Sequence, residues 1–205
     1  MPRADLRDTT IVFDLDGTLV DTAPDLTNAL NDALIRRGHH PIPQETIRQA
    51  VGFGARVMIE DALRIAGAEE DIDQMLAEFL VHYEANIAVE SRPFPGAVAS
   101  LKTLAAAGAR LAVCTNKREY LSKKLLAELG LQHYFHGIAG RDTFAVSKPD
   151  PGHLTQVIVQ AGGGGRGASG PAGLTAAAEN ATDLPNFDRT ALTIEPKSKA
   201  TFTRL

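Results

Sequence analysis

Two carboxylates stand two residues apart near the start of the chain, in the string Asp14-Leu15-Asp16-Gly17-Thr18. Residues 9–13 before them are β-branched or aromatic and predict a buried strand. Because residues i and i+2 of a strand point to the same side, both acids should emerge together, and Gly17 permits a sharp turn. A solvated acidic turn is the alternative. Two acids in one pocket repel each other, so such a pair suits a metal site or a nucleophile with an acid–base partner.

Two further polar segments are candidates for binding phosphate. Thr115-Asn116-Lys117 follows the predicted strand 109–114, and a hydroxyl with free backbone N–H groups at a strand end can bind phosphoryl oxygens. In Ser147-Lys148-Pro149-Asp150-Pro151 the prolines stiffen the backbone, and the Lys148 ammonium is a suitable point charge for phosphate. Asp150 is expected to support the local geometry. Ordinary solvated turns are the alternative at both places.

The elements that must position these groups form an alternating pattern in the second half of the chain. Strands are predicted at 109–114 and 137–140, and helices at 97–107, 118–129 and 152–161. Strands separated by helices of this length pair in parallel, which predicts an α/β fold with a doubly wound parallel sheet. Ligands of such sheets bind beyond the carboxyl ends of the strands, where both acids and Thr115 should lie.

Residues 23–90 form an almost wholly helical segment between the first strand and this pattern. Helices are predicted at 23–37, 44–51, 56–66 and 69–89 because apolar residues recur three or four apart, and Gly52-Phe53-Gly54 interrupts them. The predicted division is an α/β core of residues 1–22 and 91–163, a helical insert of residues 23–90, and an atypical tail of residues 164–205.

The charge, the apolar runs and the cysteine count of the chain exclude several classes of function. The net charge of −4, with interspersed signs, gives no basic patch for nucleic acid. No apolar run approaches the length of a membrane span, and the first residues lack the apolar segment of a secretion signal. The single cysteine, Cys114, excludes an intramolecular disulfide and is expected to pack in the core. These features predict a cytoplasmic protein that binds neither nucleic acid nor membrane.

The stretch from Phe13 to Thr22 resembles the first motif of the haloacid dehalogenase superfamily of phosphohydrolases, and in particular its bacterial phosphoglycolate phosphatase group. Thr115 and Lys148 resemble the second and third motifs in order and rough spacing. The similarity runs from about residue 10 to residue 163 and then stops. It implies that residues 23–90 are a helical cap that closes over the substrate.

The resemblance implies a Mg²⁺-dependent phosphatase. In the family pattern, Asp14 attacks phosphorus and forms an aspartyl-phosphate, and Asp16 protonates the leaving alkoxide and then takes a proton from water. Mg²⁺ would bind the carboxylate of Asp14 and the main-chain carbonyl of Asp16. Thr115 and Lys148 would neutralise the remaining phosphoryl oxygens. The acid at position 16 is typical of the phosphatases and phosphomutases, since the dehalogenases lack it.

The implied substrate is a small phosphorylated anion, and 2-phosphoglycolate is the usual substrate of the group, which salvages it in carbohydrate metabolism. Asn116 and the cap-loop residues Gly54 and Arg56 are the candidate substrate-binding residues, with Arg56 suited to a carboxylate. A simple helix-breaking turn explains the cap loop equally well. The alternatives are a related phosphosugar phosphatase or pyrophosphatase, and a non-catalytic truncated remnant.

The chain departs from the family pattern after Gly163, where a buried strand, Gly-Asp and a second acid four residues later are expected. Instead, residues 162–171 are glycine-rich and the following residues are rich in Ala and Thr. Asp183 and Asp188 are five apart and follow no apolar strand, so they are poor substitutes. Weaker Mg²⁺ binding, impaired activity and a disordered tail are the expected consequences.

Loss of that strand would also leave residues 11–13 at an exposed edge of the sheet, unless residues 190–194 cover it. We hypothesise that a change of reading frame produced the tail, because the switch in composition at residue 163 is abrupt. Translation of the coding DNA in the other two frames tests this, since one of them should then encode an apolar strand that ends in Gly-Asp.

Overall fold

The structure, a computed structural model, describes residues 6–7, 9–163, 174–176 and 192–193. Its strands are β1 (Thr10–Phe13), β2 (Val20–Asp21), β3 (Arg92–Pro93), β4 (Arg110–Cys114), β5 (Phe135–Ala139), β6 (Leu174–Ala176) and β7 (Leu192–Thr193). Its helices are α1 (Ala23–Arg36), α2 (Gln44–Arg48), α3 (Ala55–Ala66), α4 (Ile72–Ala85), α5 (Ala97–Ala106), α6 (Glu119–Glu128) and α7 (Pro151–Gln160). The predicted helices and strands are all present, and most differ from prediction by one to three residues at their ends.

The main sheet has the strand order β5-β4-β1-β6-β7. β1 is parallel to both β4 and β6, β5 is parallel to β4, and β7 is antiparallel to β6. Alternate residues of the strands face opposite sides, so Val12 and Cys114 pack with α7, whereas Phe13, Leu111 and Val113 join the core that includes α5 and α6. Helices therefore cover both faces of a parallel sheet, and the predicted α/β fold class is confirmed.

The prediction that β1 lies at an exposed edge is wrong. β6 pairs with β1 on the side away from β4, with Thr10 opposite Leu174, and β7 pairs with β6 and not with β1. Strands pair through backbone N–H and C=O groups, so a segment can add to a sheet without the apolar pattern that the sequence argument required. Asp183, Asp188 and the predicted disorder of the other tail residues lie outside the described residues.

The segment between β2 and β3 contains α1 to α4, and its two ends meet at a small antiparallel sheet, with Val20 opposite Pro93. Beside this sheet the buried carboxylate of Asp25, on α1, accepts hydrogen bonds from the backbone N–H of Glu90 and from the N–H and hydroxyl of Ser91, the last at 2.7 Å. Within the segment, α1 packs against α2 and α4, and α3 packs against α4. The division into core, cap and tail stays a prediction.

None of the helices in the described ranges has both the length and the apolar character needed to cross a membrane.

Candidate active site

Asp14 leaves the carboxyl end of β1 and pairs with Lys148. The distance from Asp14 Oδ2 to Lys148 Nζ is 2.8 Å, and Asp14 Oδ1 accepts the backbone N–H of Leu15 at 2.7 Å. The side chain of Asp14 keeps 27% of its surface exposed. Burial raises the pKa of Asp14 above its ordinary value, and the opposing effect of the Lys148 ammonium is smaller. The first and third predicted motifs therefore meet directly.

Helix α7 fixes the backbone of Lys148 through a hydrogen bond to His153. The backbone N–H of Lys148 donates to Nδ1 of His153 at 3.2 Å, and His153 is fully buried. At the start of α7, the carboxylate of Asp150 accepts the N–H of Gly152 at 2.7 Å and caps the helix. This contact confirms the structural role predicted for Asp150. Burial, followed by the charge of Lys148, lowers the pKa of His153, so the imidazole is neutral and can accept that hydrogen bond.

Asp16 has a different set of partners. Its Oδ1 lies 2.7 Å from Lys117 Nζ and accepts a hydrogen bond from the Thr22 hydroxyl at 2.8 Å. The side chains of Asp16 and Lys117 are each only 6% exposed. Burial lowers the pKa of Lys117, but the charge of Asp16 and the neighbouring Tyr83 raise it by more, so the ammonium form persists. Two acids two residues apart are thus each neutralised by a separate lysine.

Lys117 also connects the core to helix α4. Its ammonium lies 4.6 Å from the centre of the Tyr83 ring, at cation–π distance. Tyr83 stacks on Phe79, and its buried hydroxyl has no hydrogen-bond partner among the described residues. Burial raises the pKa of Tyr83 to about 12, so the hydroxyl remains protonated at neutral pH. A buried unpaired hydroxyl is uncommon and suggests that a water or ligand oxygen pairs with it.

Thr115 is buried directly after β4. Its backbone N–H donates to the carbonyl of Ala139 at 3.0 Å, and its Oγ1 accepts the N–H of Lys117 at 3.2 Å. This second contact fixes the turn that aims Lys117 at Asp16. Whether Thr115 binds phosphate stays a prediction.

The three candidate substrate-binding residues lie around the loop between α2 and α3. Asn116 donates from Nδ2 to the carbonyl of Gly52 at 3.1 Å, which ties the core to this loop. Gly54 has a φ of +98°, which favours glycine. Arg56 pairs with Asp73 at the start of α4. Substrate contact by these residues stays a prediction, and the guanidinium of Arg56 already has a carboxylate partner.

A cavity of about 370 Å³ lies between α3, α4 and the loops that follow β1, β4 and β5. Apolar residues of the helices, including Leu76, Phe79 and Leu80, line one part of it. Its polar and charged lining residues are Asp16, Arg56, Tyr83, Asn116, Lys117, Arg118, Arg141 and Asp142. Asp14, Thr115 and Lys148 are not part of this lining, so the cavity reaches the site on the Asp16 side.

The donor atoms near β1 suit Mg²⁺, since the carboxylate of Asp14 and the main-chain carbonyl of Asp16 are the oxygen ligands this ion prefers. However, the described residues contain no group of three or more His, Cys, Asp or Glu side chains that could hold a metal ion. Lys117 and Thr22 already bind the Asp16 carboxylate. Mg²⁺ can bind through one or two carboxylates with water and substrate phosphate, so the residues fit the ion with few protein ligands.

Several residues that shape the site have no functional signal in the sequence, namely Thr22, Tyr83, Lys117, Arg118, Arg141 and His153. Lys117 belongs to the segment Thr115-Asn116-Lys117, but a lysine in a polar turn is usually solvated. Tyr83 lies in the predicted helix 69–89 at a spacing that is typical of core packing. Only the tertiary structure shows that these two side chains meet over Asp16.

The fold is that of a known enzyme family. The family model described as haloacid dehalogenase-like hydrolase matches residues 11–163, and the chain belongs to this family. The match ends where the sequence argument placed the end of the resemblance.

Two curated relatives of the chain are named as phosphatases. The chain is 47% identical over 155 residues to a phosphoglycolate phosphatase of Agrobacterium fabrum. This alignment covers 74% of the chain and 66% of the relative. It is 45% identical over 162 residues to a phosphoglycolate phosphatase of Caulobacter vibrioides, covering 78% of the chain and 68% of the relative. Enzymes of that name are phosphoric monoester hydrolases. The matched segment spans about two thirds of the length of these relatives.

Solved structures agree in fold. A predicted phosphoglycolate phosphatase from Haemophilus somnus superposes with a TM-score of 0.69 at 29% identity, over 80% of this chain and 74% of the other. A haloacid dehalogenase-like family protein from Streptococcus pneumoniae gives a TM-score of 0.68 at 23% identity, over 82% and 74% of the two chains, which supports the fold alone.

Proposed function

We propose that this chain hydrolyses small phosphate monoesters, and that 2-phosphoglycolate is its substrate. The observation that carries the proposal is the pair of lysine–carboxylate contacts, Asp14 with Lys148 and Asp16 with Lys117, at the carboxyl end of β1. The names of the curated relatives support the choice of substrate. Phosphoryl transfer depends largely on positioning and charge neutralisation, which these contacts supply.

The first step in this proposal is attack of an Asp14 carboxylate oxygen on phosphorus. The bond from phosphorus to the ester oxygen breaks, and Asp16, acting in its protonated form, gives its proton to the leaving alkoxide. It regains a proton in the second step, so each cycle starts from the same state. In the second step, Asp16 takes a proton from water as the water oxygen attacks phosphorus and releases Asp14. Lys148 and the hydroxyl of Thr115 stabilise the phosphoryl oxygens, and the exposed part of Asp14 is the side from which the substrate approaches.

Mg²⁺ is part of the proposal. When bound by the carboxylate of Asp14 and the main-chain carbonyl of Asp16, it would neutralise negative charge on the phosphoryl group. The small number of protein ligands predicts weak binding, with saturation only at millimolar Mg²⁺.

A steady-state assay of phosphate release tests the function. With Mg²⁺ in excess, 2-phosphoglycolate should be hydrolysed with a higher kcat/KM than phosphosugars or pyrophosphate. Asp14→Asn should lower kcat by roughly 10³-fold or more, since it removes the nucleophile. Chelation of Mg²⁺ should also abolish turnover. A higher kcat/KM for a phosphosugar or pyrophosphate would identify the alternative substrate class, and failure to hydrolyse any of these compounds would identify a non-catalytic remnant.

A further inference from the structure

The loops after β4 and β5 pack together and form part of the cavity wall. Arg141 donates its backbone N–H to the carbonyl of Lys117 at 3.0 Å, and Glu119 donates its N–H to Asp142 Oδ1 at 2.8 Å. A Cβ at Gly140 would lie within 3.0 Å of backbone atoms of residues 117–119. The position therefore requires glycine, because only its missing side chain allows the two loops to approach this closely.

This packing brings Arg118 and Arg141 to the same cavity wall, where both are exposed and line the cavity. Arg141 reaches toward the cap loop, since its Nη1 would lie 3.4 Å from a Cβ built on Gly54. Two guanidinium groups on adjacent loops thus face one space.

The other two cations of the lining have ion-pair partners, since Lys117 pairs with Asp16 and Arg56 pairs with Asp73. The carboxylate of Asp142 accepts the N–H of Glu119, a neutral donor that leaves its charge in place. In contrast, neither Arg118 nor Arg141 forms an ion pair with any residue in the described ranges. This wall of the cavity therefore has two arginine charges against the one carboxylate of Asp142, a net positive charge, and the guanidinium group is well suited to bidentate binding of a carboxylate.

An unpaired donor lies in the same cavity. The hydroxyl of Tyr83 is buried, protonated and without a partner among the described residues. A polar ligand in this space would satisfy it, and this observation is independent of the arginine side chains.

We infer that Arg118 and Arg141 form a second anion subsite that binds the carboxylate of a phosphorylated hydroxy acid and so determines substrate specificity. The inference rests on the proposed function and replaces the predicted role of Arg56, whose guanidinium is occupied by Asp73. The phosphoryl group lies at Asp14, and the carboxylate points into the cavity on the Asp16 side.

The test is a binding measurement that does not need turnover. Isothermal titration calorimetry of the full chain would compare 3-phosphonopropionate, which keeps the carboxylate of phosphoglycolate, with propylphosphonate, which lacks it. The unmodified protein should bind the first compound roughly 10- to 100-fold more tightly, as expected for charge-assisted hydrogen bonds. Arg141→Gln and Arg118→Gln should each remove most of this preference and leave the affinity for propylphosphonate within about twofold.

Arg64→Gln is the matched control, because Arg64 is exposed, pairs with Asp61 and does not line the cavity. It should retain the full preference. Arg56→Gln tests the earlier assignment and should also retain it. Equal affinity for both compounds in the unmodified protein would overturn the inference, as would a preference that survives both arginine substitutions or is lost only in Arg56→Gln. Failure of the proposed function is separate, since it is the absence of phosphate release.

Discussion

The surroundings of Asp14 and Asp16 differ sharply, although the two acids are only two residues apart. Asp14 is partly exposed and pairs with a lysine from the loop before α7, whereas Asp16 is almost completely buried and pairs with a lysine that lies against Tyr83 of α4. One acid is thus supported by the sheet and α7, and the other by the sheet and α4. The comparison indicates that the turn after a single strand presents two carboxylates, and that contacts from different loops give each of them a different environment.

The largest expected effect comes from neutralising each acid in turn. Asp16→Asn should lower kcat/KM for 2-phosphoglycolate by roughly 10²- to 10⁴-fold, the range for general acid–base catalysis. For p-nitrophenyl phosphate the loss in kcat/KM should be much smaller, because the nitrophenolate leaves without a proton and kcat/KM does not include hydrolysis of the aspartyl-phosphate. Asp14→Asn should abolish turnover of both substrates, because both need the nucleophile. Equal losses on both substrates for Asp16→Asn would contradict the assignment of Asp16 as the proton donor.

The two lysines provide the second test, measured as the free energy of unfolding in urea at pH 7. Lys117→Met leaves the buried Asp16 charge without its cation and should cost about 3–5 kcal/mol. Lys148→Met should cost less than about 2 kcal/mol, because water can solvate the exposed part of Asp14. The double variant Asp16→Asn/Lys117→Met should recover part of the stability lost in Lys117→Met. A larger cost for Lys148→Met than for Lys117→Met would show that the burial difference has no energetic consequence.

The smallest expected effect is a pH dependence of the free energy of unfolding, and it comes from His153, which accepts the backbone N–H of Lys148. The pKa of His153 is lowered in the folded state, so between that pKa and about 6.5 the unfolded chain binds a proton that the folded chain does not. Stability from this residue is therefore fully present above about pH 6.5 and declines as the pH falls, by at most about 1.4 kcal/mol per pH unit.

Urea denaturation at several pH values between 5 and 8 would measure this slope. His153→Gln should reduce it, while His40→Gln, at an exposed position, should leave it unchanged. An identical slope in all three proteins would mean that His153 does not contribute to it.

Much of the fold could be predicted because it depends on local patterns. Residues 111–114 of β4 form a continuous apolar run, and the helices carry apolar residues at helical spacing with glycine at several ends. β2 and β3 were missed because two-residue strands have no detectable period. β6 was missed because a strand of three residues, Leu174–Ala176, in an Ala- and Thr-rich segment has no detectable period.

The candidate site likewise contains residues that can be named from the sequence and residues that only the structure reveals. Asp14, Asp16, Thr115 and Lys148 could be named as candidates because their types and order resemble family motifs, and the structure places Lys148, from the loop before α7, in contact with Asp14. The partners that give each acid its environment come from distant parts of the chain. Lys117 and Tyr83 are separated by more than thirty residues, and their contact depends on how α4 lies against the loop after β4. A single sequence contains no local signal for such a contact.

The pairing of β2 with β3, together with the carboxylate of Asp25 bound to the chain at Glu90 and Ser91, has a consequence for how the gene can change. The segment that contains α1 to α4 begins after β2 and ends before β3, and these two strands are paired with each other. The length of this segment therefore places little constraint on the main sheet. A segment of another size or architecture could be grafted between these points without rebuilding the strands. The helices of this segment could then be exchanged as one unit while Asp14 and Asp16 keep their positions after β1.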